Sequence, residues 1–181
     1  MKQTDYVILG LLSESPMTGY QIKRIIDIRF RFFWNESYGQ LYPALRALCE
    51  AGYIEENTVA EPKPRAQKTY RLAPTGLQAL QEWLTKPVEK ESVRLEILLK
   101  LYFSHLTDYG VILGQIRTFQ LAHEQDLHML DAFAKELRQI EKDDPAHPAV
   151  LRVIDFGQKA NRAYLDWCRE TIEFLEGRKN T

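Results

Sequence analysis

The stretch Ser37-Tyr-Gly-Gln-Leu-Tyr-Pro-Ala-Leu-Arg-Ala-Leu-Cys-Glu-Ala-Gly-Tyr-Ile54 constrains what this chain can fold into more than any other. Leu41, Leu45 and Leu48 recur along one side of a helix. Ser37 and Gln40 have capping-box spacing, in which each side chain satisfies a backbone N–H left without a partner at the helix start. Gly52 supplies the stop. With the leucines turned inward, Tyr38, Gly39, Gln40, Tyr42, Pro43 and Arg46 face outward. A short helix of this kind suits insertion into a DNA groove.

The neighbouring segments extend the pattern. Thr18 and Gln21 repeat the capping-box spacing at the start of a second helix, whose apolar side is Ile22, Ile25 or Ile26, and Phe30. Upstream, Thr4 is placed to cap a helix carrying Val7, Ile8, Leu11 and Leu12, which ends at Ser15-Pro16. Downstream, residues 53–59 and 68–72 read as two strands around a polar, proline-containing loop. Three helices and a hairpin form a winged helix-turn-helix, with the third helix reading DNA and the hairpin as its wing. The candidate DNA contacts are Tyr20, Tyr38, Gly39, Gln40, Tyr42, Pro43 and Arg46, joined on the wing by Lys63, Arg65 and Lys68.

On these residues the chain resembles the PadR family of transcriptional regulators. The matching pieces are Tyr6-Val-Ile-Leu-Gly-Leu-Leu12, Thr18-Gly-Tyr-Gln-Ile22, Gly39-Gln-Leu-Tyr-Pro-Ala-Leu45 with Leu48 and Gly52-Tyr-Ile54, and Lys68-Thr-Tyr-Arg-Leu72 with Gly76. The segment from Val93 to Phe103 and the helices after it resemble the C-terminal half of the longer members. Where the family has Thr after the second wing strand, this chain has Ala73-Pro74, which leaves Thr75 as the next candidate cap. The resemblance implies that the first helix packs on a partner's C-terminal helices, and that small aromatic or amphipathic compounds release the protein from DNA.

Charge divides unevenly. Residues 1–86 carry eleven basic and nine acidic residues, net +2, and residues 87–181 carry thirteen against sixteen, net −3. Lys63, Arg65, Lys68 and Arg71 cluster at the wing without an acid between Pro62 and Arg71, as phosphate contacts require. Lys23, Arg24, Arg29 and Arg31 add phosphate candidates, and Glu36 beside the reading helix opposes them. No apolar run approaches membrane length and no leader pattern is present, so a cytoplasmic protein with no membrane partner is expected.

The expected architecture is mainly α: a winged helix-turn-helix domain at 1–86 and an all-α dimerisation domain at 87–181. Helices are expected near 92–104, 108–142 and 149–176. The middle one has a heptad-like seam of Ile112, Ile116, Phe119, Leu130, Phe133, Leu137 and Ile140, interrupted by His123 and Asp126. The last has a stripe of Val153, Phe156, Ala160, Ala163, Trp167 and Phe174, widened by Val150, Ile154, Tyr164, Leu165, Cys168, Ile172 and Leu175. Faces this broad call for partner helices, and a twofold reader matches two half-sites, so a homodimer is expected.

No Gly-rich phosphate loop, Cys-x-x-Cys or His-Glu-x-x-His occurs. Catalytic residues, cofactors and metals are therefore not expected, and Cys49 and Cys168 read as small apolar side chains. Two aromatic groups, Phe32, Phe33, Trp34 and Tyr38, and Phe156, Tyr164 and Trp167, are each either core or an effector site. The expected function is a transcriptional repressor that binds a palindromic operator in double-stranded DNA as a homodimer and is released by a small molecule. The alternative is a winged-helix protein–protein interaction module.

Overall fold

The computed structural model describes residues 1–58, 68–89, 93–139 and 147–179. The chain divides into two units, Met1–Lys90 and Glu91–Thr181. The first runs α1 (Gln3–Glu14), β1 (Met17–Thr18), α2 (Gly19–Ile25), a π-helical turn (Ile26–Phe30), α3 (Tyr38–Glu50), β2 (Ile54–Thr58), β3 (Lys68–Leu72) and α4 (Pro74–Leu84). The second is helical among the described residues: α5 (Glu96–Tyr102), a 3-10 turn (Ser104–Leu106), α6 (Tyr109–Gln139) and α7 (His147–Lys179). The chain is thus mainly α, a winged helix followed by an all-α region.

One core holds the first unit. Ile8, Leu9, Leu11 and Leu12 of α1 meet Ile22 and Ile26, the three leucines of α3, Ile54 and Tyr70. Leu41 and Leu45 are fully buried. Burying one leucine stabilises the fold by about 1.5–3 kcal/mol, so the stripe read from the sequence fixes which way α3 turns.

Three local expectations are corrected. Thr4 does not cap α1; the helix begins at Gln3, the Lys2 N–H donates to Asp5 Oδ2 at 2.7 Å, and the Thr4 hydroxyl donates to Glu36 Oε1 at 2.7 Å. Thr75 does not cap α4, which starts at Pro74 behind an uncapped Ala73; its hydroxyl donates to the Gly52 carbonyl at 2.6 Å. The sheet has a third strand. β1 pairs antiparallel with β3, Met17 opposite Tyr70 and Thr18 opposite Thr69, giving the order β1-β3-β2. Two residues are too short to show alternation in sequence.

Gly52 ends α3 with φ +73°. The Tyr53 N–H donates to the Leu48 carbonyl at 2.9 Å and the Gly52 N–H to that of Cys49 at 3.0 Å, the paired bonds of a Schellman motif. α4 docks on this turn: the Ala73 N–H donates to Tyr53 O at 3.1 Å, and a Cβ on Gly76 would stand 2.1 Å from the same oxygen.

In the second unit, α6 and α7 form an antiparallel hairpin, tied by Arg117–Glu176 at one level and Gln158–Asp131 at another, both 2.6 Å. The expected α7 stripe is corrected. Val153, Phe156 and Phe174 are exposed, and of the residues expected only to widen the stripe Ile154, Cys168 and Leu175 are buried, in a seven-residue step completed by Asn161 and flanked by buried Gln158 and Thr171. The polar members hide the seam as a whole from a search for apolar spacing. Asn161 meets the other interruption: His123 Nδ1 lies 2.6 Å from Asn161 Oδ1. The Asn161 amide donates to the Gly157 carbonyl at 2.8 Å, so its oxygen is the acceptor and His123 Nδ1 carries the hydrogen. α5 is shorter than expected, and the expected positions Ile140 and Lys142 lie outside the described residues.

Candidate nucleic-acid interface

α3 is built as its sequence demands. The Gln40 N–H donates to Ser37 Oγ at 3.2 Å, and the Ser37 N–H donates to Gln40 Oε1 at 3.0 Å. The Ser37 hydroxyl also donates to Gln40 Oε1, at 2.8 Å. Gln40 therefore spends its carbonyl oxygen on the cap and keeps only its amide N–H groups for a groove. Tyr38, Gly39, Gln40, Tyr42, Pro43 and Arg46 are all exposed on the outer face. Pro43 lies inside the helix and has no N–H, so the Gly39 carbonyl loses its usual intrahelical partner.

The two tyrosines are prearranged. Their rings stack at 6.0 Å with 17° between planes. Tyr42 lies against the start of α2, where a Cβ on Gly19 would stand 2.9 Å from its ring. Lys23 sits 5.4 Å from the centre of the Tyr38 ring and forms an ion pair with Asp27. Only 8% of Lys23 is exposed, so its expected role as a phosphate contact is corrected: it is a strut under Tyr38. Arg29 pairs with Glu14 at 2.9 Å. Tyr20 projects from the first turn of α2, with Thr18 capping that turn through Gln21.

On the wing, Lys68 pairs with Glu56 at 2.9 Å and Arg71 with Glu55 at 2.5 Å. These hydrogen bonds hold both cations above their ordinary pKa. The apparently acid-free basic run is thus partly neutralised by the facing strand. Solvent-exposed pairs of this kind are weak, so they exchange readily for a phosphate. Lys63 and Arg65 lie outside the described residues.

Glu36 is not an opposing surface charge. It is 3% exposed, and its Oε1 accepts from the Thr4 hydroxyl and, at 3.1 Å, from the Trp34 indole N–H. The sequence offers no sign of this, since Thr4 lies 32 positions away. The two expected aromatic groups also regroup. Tyr38 leaves the first to stack on Tyr42, and Phe156 stands apart from the second. Tyr164 and Trp167 instead converge on Phe119, at 5.8 and 6.1 Å. Among the described residues, no group of His, Cys, Asp and Glu could hold a metal ion, and no helix is long and apolar enough to cross a membrane.

Comparison with known proteins agrees with this frame. Residues 8–82 match the transcriptional regulator PadR-like family, and residues 93–176 match the family described as virulence activator alpha C-term. The negative transcriptional regulator PadR of Bacillus subtilis is 34% identical over 105 residues, 57% of this chain and 57% of that protein. The crystal structure of a PadR-like regulator from Bacillus cereus superposes with a TM-score of 0.78 at 25% identity, covering 97% of this chain and 99% of that one. Bacillus subtilis PadR in complex with operator DNA gives 0.77 at 24%, covering 96% and 99%. The same protein with p-coumaric acid gives 0.69 at 25%, covering 95% and 98%.

Proposed function

Since the chain belongs to the PadR-like family of transcriptional regulators, which are not enzymes, we propose that it is a repressor that binds a palindromic operator as a homodimer and leaves it when a small effector binds. The observation that carries this is the outer face of α3, where leucine burial and a closed capping box present Tyr38, Gly39, Gln40, Tyr42, Pro43 and Arg46 to solvent together. Residues 1–86 read the DNA, with Tyr20 and the wing cations on phosphates, and residues 87–181 pair the chains in the cytoplasm. The name of the 34% identical relative supports repression, and the capture of that protein with p-coumaric acid supports a small aromatic effector.

Pairing is supported by apolar side chains left in water. Leu99, Tyr102, Phe103 and Leu106 crowd one short segment, and Phe156 and Phe174 stand out from α7, each more than half exposed. Large exposed apolar patches mark association surfaces, and a second copy of the same helices covers this one.

A gel shift with the chain's own promoter fragment tests the reading. A sequence-selective band with two chains per operator is expected, and its absence sinks the proposal. Truncation after Lys86 is expected to give a monomer in sedimentation whose operator affinity falls by about a hundredfold or more, because the second half-site is no longer tethered. A truncated chain that still dimerises would place the interface elsewhere. On the wing, replacing Lys68, Lys63 or Arg65 with Ala is expected to weaken all DNA sequences about equally and to lower the salt slope by about one unit. Loss at a single operator variant only would make the contact one to bases.

A further inference from the structure

The tyrosine pair of α3 is held by α2. Lys23 Nζ stands 5.4 Å from the centre of the Tyr38 ring, and an ion pair with Asp27, one helical turn on, keeps the ammonium there. Tyr38 stacks on Tyr42 at 6.0 Å, and Tyr42 rests where a Cβ on Gly19 would come within 2.9 Å of its ring. Both tyrosines remain about half exposed, whereas Lys23 is buried.

A lysine this buried gives up water around its charge, and an aromatic face returns part of that loss, since cation–π attraction acts within about 6 Å of the ring centre. The contact matters to Tyr38 as well. Helical side chains lean back onto the preceding turn, and Tyr38 opens α3, so no earlier turn of its own helix supports it. An unsupported exposed tyrosine samples several rotamers, and any DNA contact it makes then bears the cost of ordering it. With the ammonium beside it, the ring is ordered before DNA arrives.

We propose that Lys23 is a positioning residue for operator recognition. Anchored by Asp27, it holds the Tyr38 ring, and through it the Tyr38–Tyr42 stack, in the orientation that meets DNA, without touching DNA itself. This rests on the reading that α3 contacts the operator. It also separates Lys23 from its exposed neighbour Arg24, which stays a phosphate candidate.

The probe is the tightest duplex that the full parent chain selects from a random DNA pool, with binding followed by fluorescence anisotropy. Lys23→Met keeps the bulk of the side chain and removes its charge. It is expected to weaken binding about three- to tenfold, as the ordering cost returns to the binding step. Tm is expected to stay level or rise, because an apolar side chain often replaces a buried ion pair without loss. In a Tyr38→Ala chain the same change is expected to have no further effect, and the dependence of affinity on salt to stay close to the parent's. Unchanged affinity, an equal loss with and without Tyr38, or a salt slope lower by about one unit overturns the proposal; the last makes Lys23 a phosphate contact. Should Lys23→Met fail to fold, Asp27→Ala, at an exposed position, takes its place in the cycle, and its coupling to Tyr38 decides. The underlying reading fails differently: a Tyr38→Ala chain that binds like the parent removes Tyr38 from the reading face, and a pool with no enriched duplex removes sequence-selective binding altogether. In either case the positioning role falls too.

Discussion

Replacing Tyr42 and Arg46 together with Ala is expected to abolish sequence-selective operator binding while the chain stays folded and dimeric. Both side chains are exposed on the outer face of α3 and belong to no core cluster. A good base contact contributes about 1–3 kcal/mol of discrimination, so losing two removes on the order of 2–6 kcal/mol, roughly 30-fold to 25,000-fold in affinity. The cost to stability is smaller. Ala favours helix, and the lost Tyr38–Tyr42 stacking amounts to about 0.5–1.5 kcal/mol. Fluorescence anisotropy with operator and scrambled duplexes, alongside sedimentation, separates the two effects. Undiminished operator affinity would take the reading role away from α3.

Gly76→Ala is expected to be the most damaging single-methyl change in the first unit. The added Cβ would stand 2.1 Å from the Tyr53 carbonyl oxygen and 2.9 Å from Leu72 Cδ1. The leucine can move, but the carbonyl cannot. It belongs to the turn closed by the Tyr53-to-Leu48 and Gly52-to-Cys49 bonds, and it already accepts from the Ala73 N–H. Overpacking against fixed backbone costs about 1–3 kcal/mol or more, and the upper end applies here. For a unit of this size, about 3 kcal/mol corresponds to a fall in Tm of roughly 12–24 °C. Thermal melting followed by circular dichroism reads it directly. A Tm within a few degrees of the parent would mean that α4 does not rest on the turn as described.

The parts of this fold that sequence revealed are local ones. A leucine stripe, two capping boxes and a terminating glycine each act within one or two turns, so their residues lie close together in the chain. The parts it concealed need a partner from elsewhere. Glu36 reads as a surface acid until α1 brings Thr4 to it. Lys68 and Arg71 read as free cations until the hairpin register places Glu55 opposite Arg71 and Glu56 diagonally across from Lys68. Of the buried seam of α7, Ile154, Cys168 and Leu175 are visible as apolar residues beside the main stripe, but Asn161 is not, and only the α6 hairpin shows that His123 satisfies it. Of the candidate DNA contacts, Lys63 and Arg65 lie outside the described residues, while those on α2 and α3 sit on exposed surface. Which of them touch bases is a matter for the variants above.

Thr18 does two jobs at once: its side chain caps α2, and its backbone pairs with Thr69 on the second strand of the wing. One inserted or deleted residue before it would disturb the helix pair and the hairpin together. These two are therefore not interchangeable parts. A chimera that takes α2 and α3 from one regulator and the hairpin from another must preserve this junction or lose both. If α3 reads the operator as proposed, operator preference is free to diverge through its outward side chains, while the frame that aims them is inherited whole.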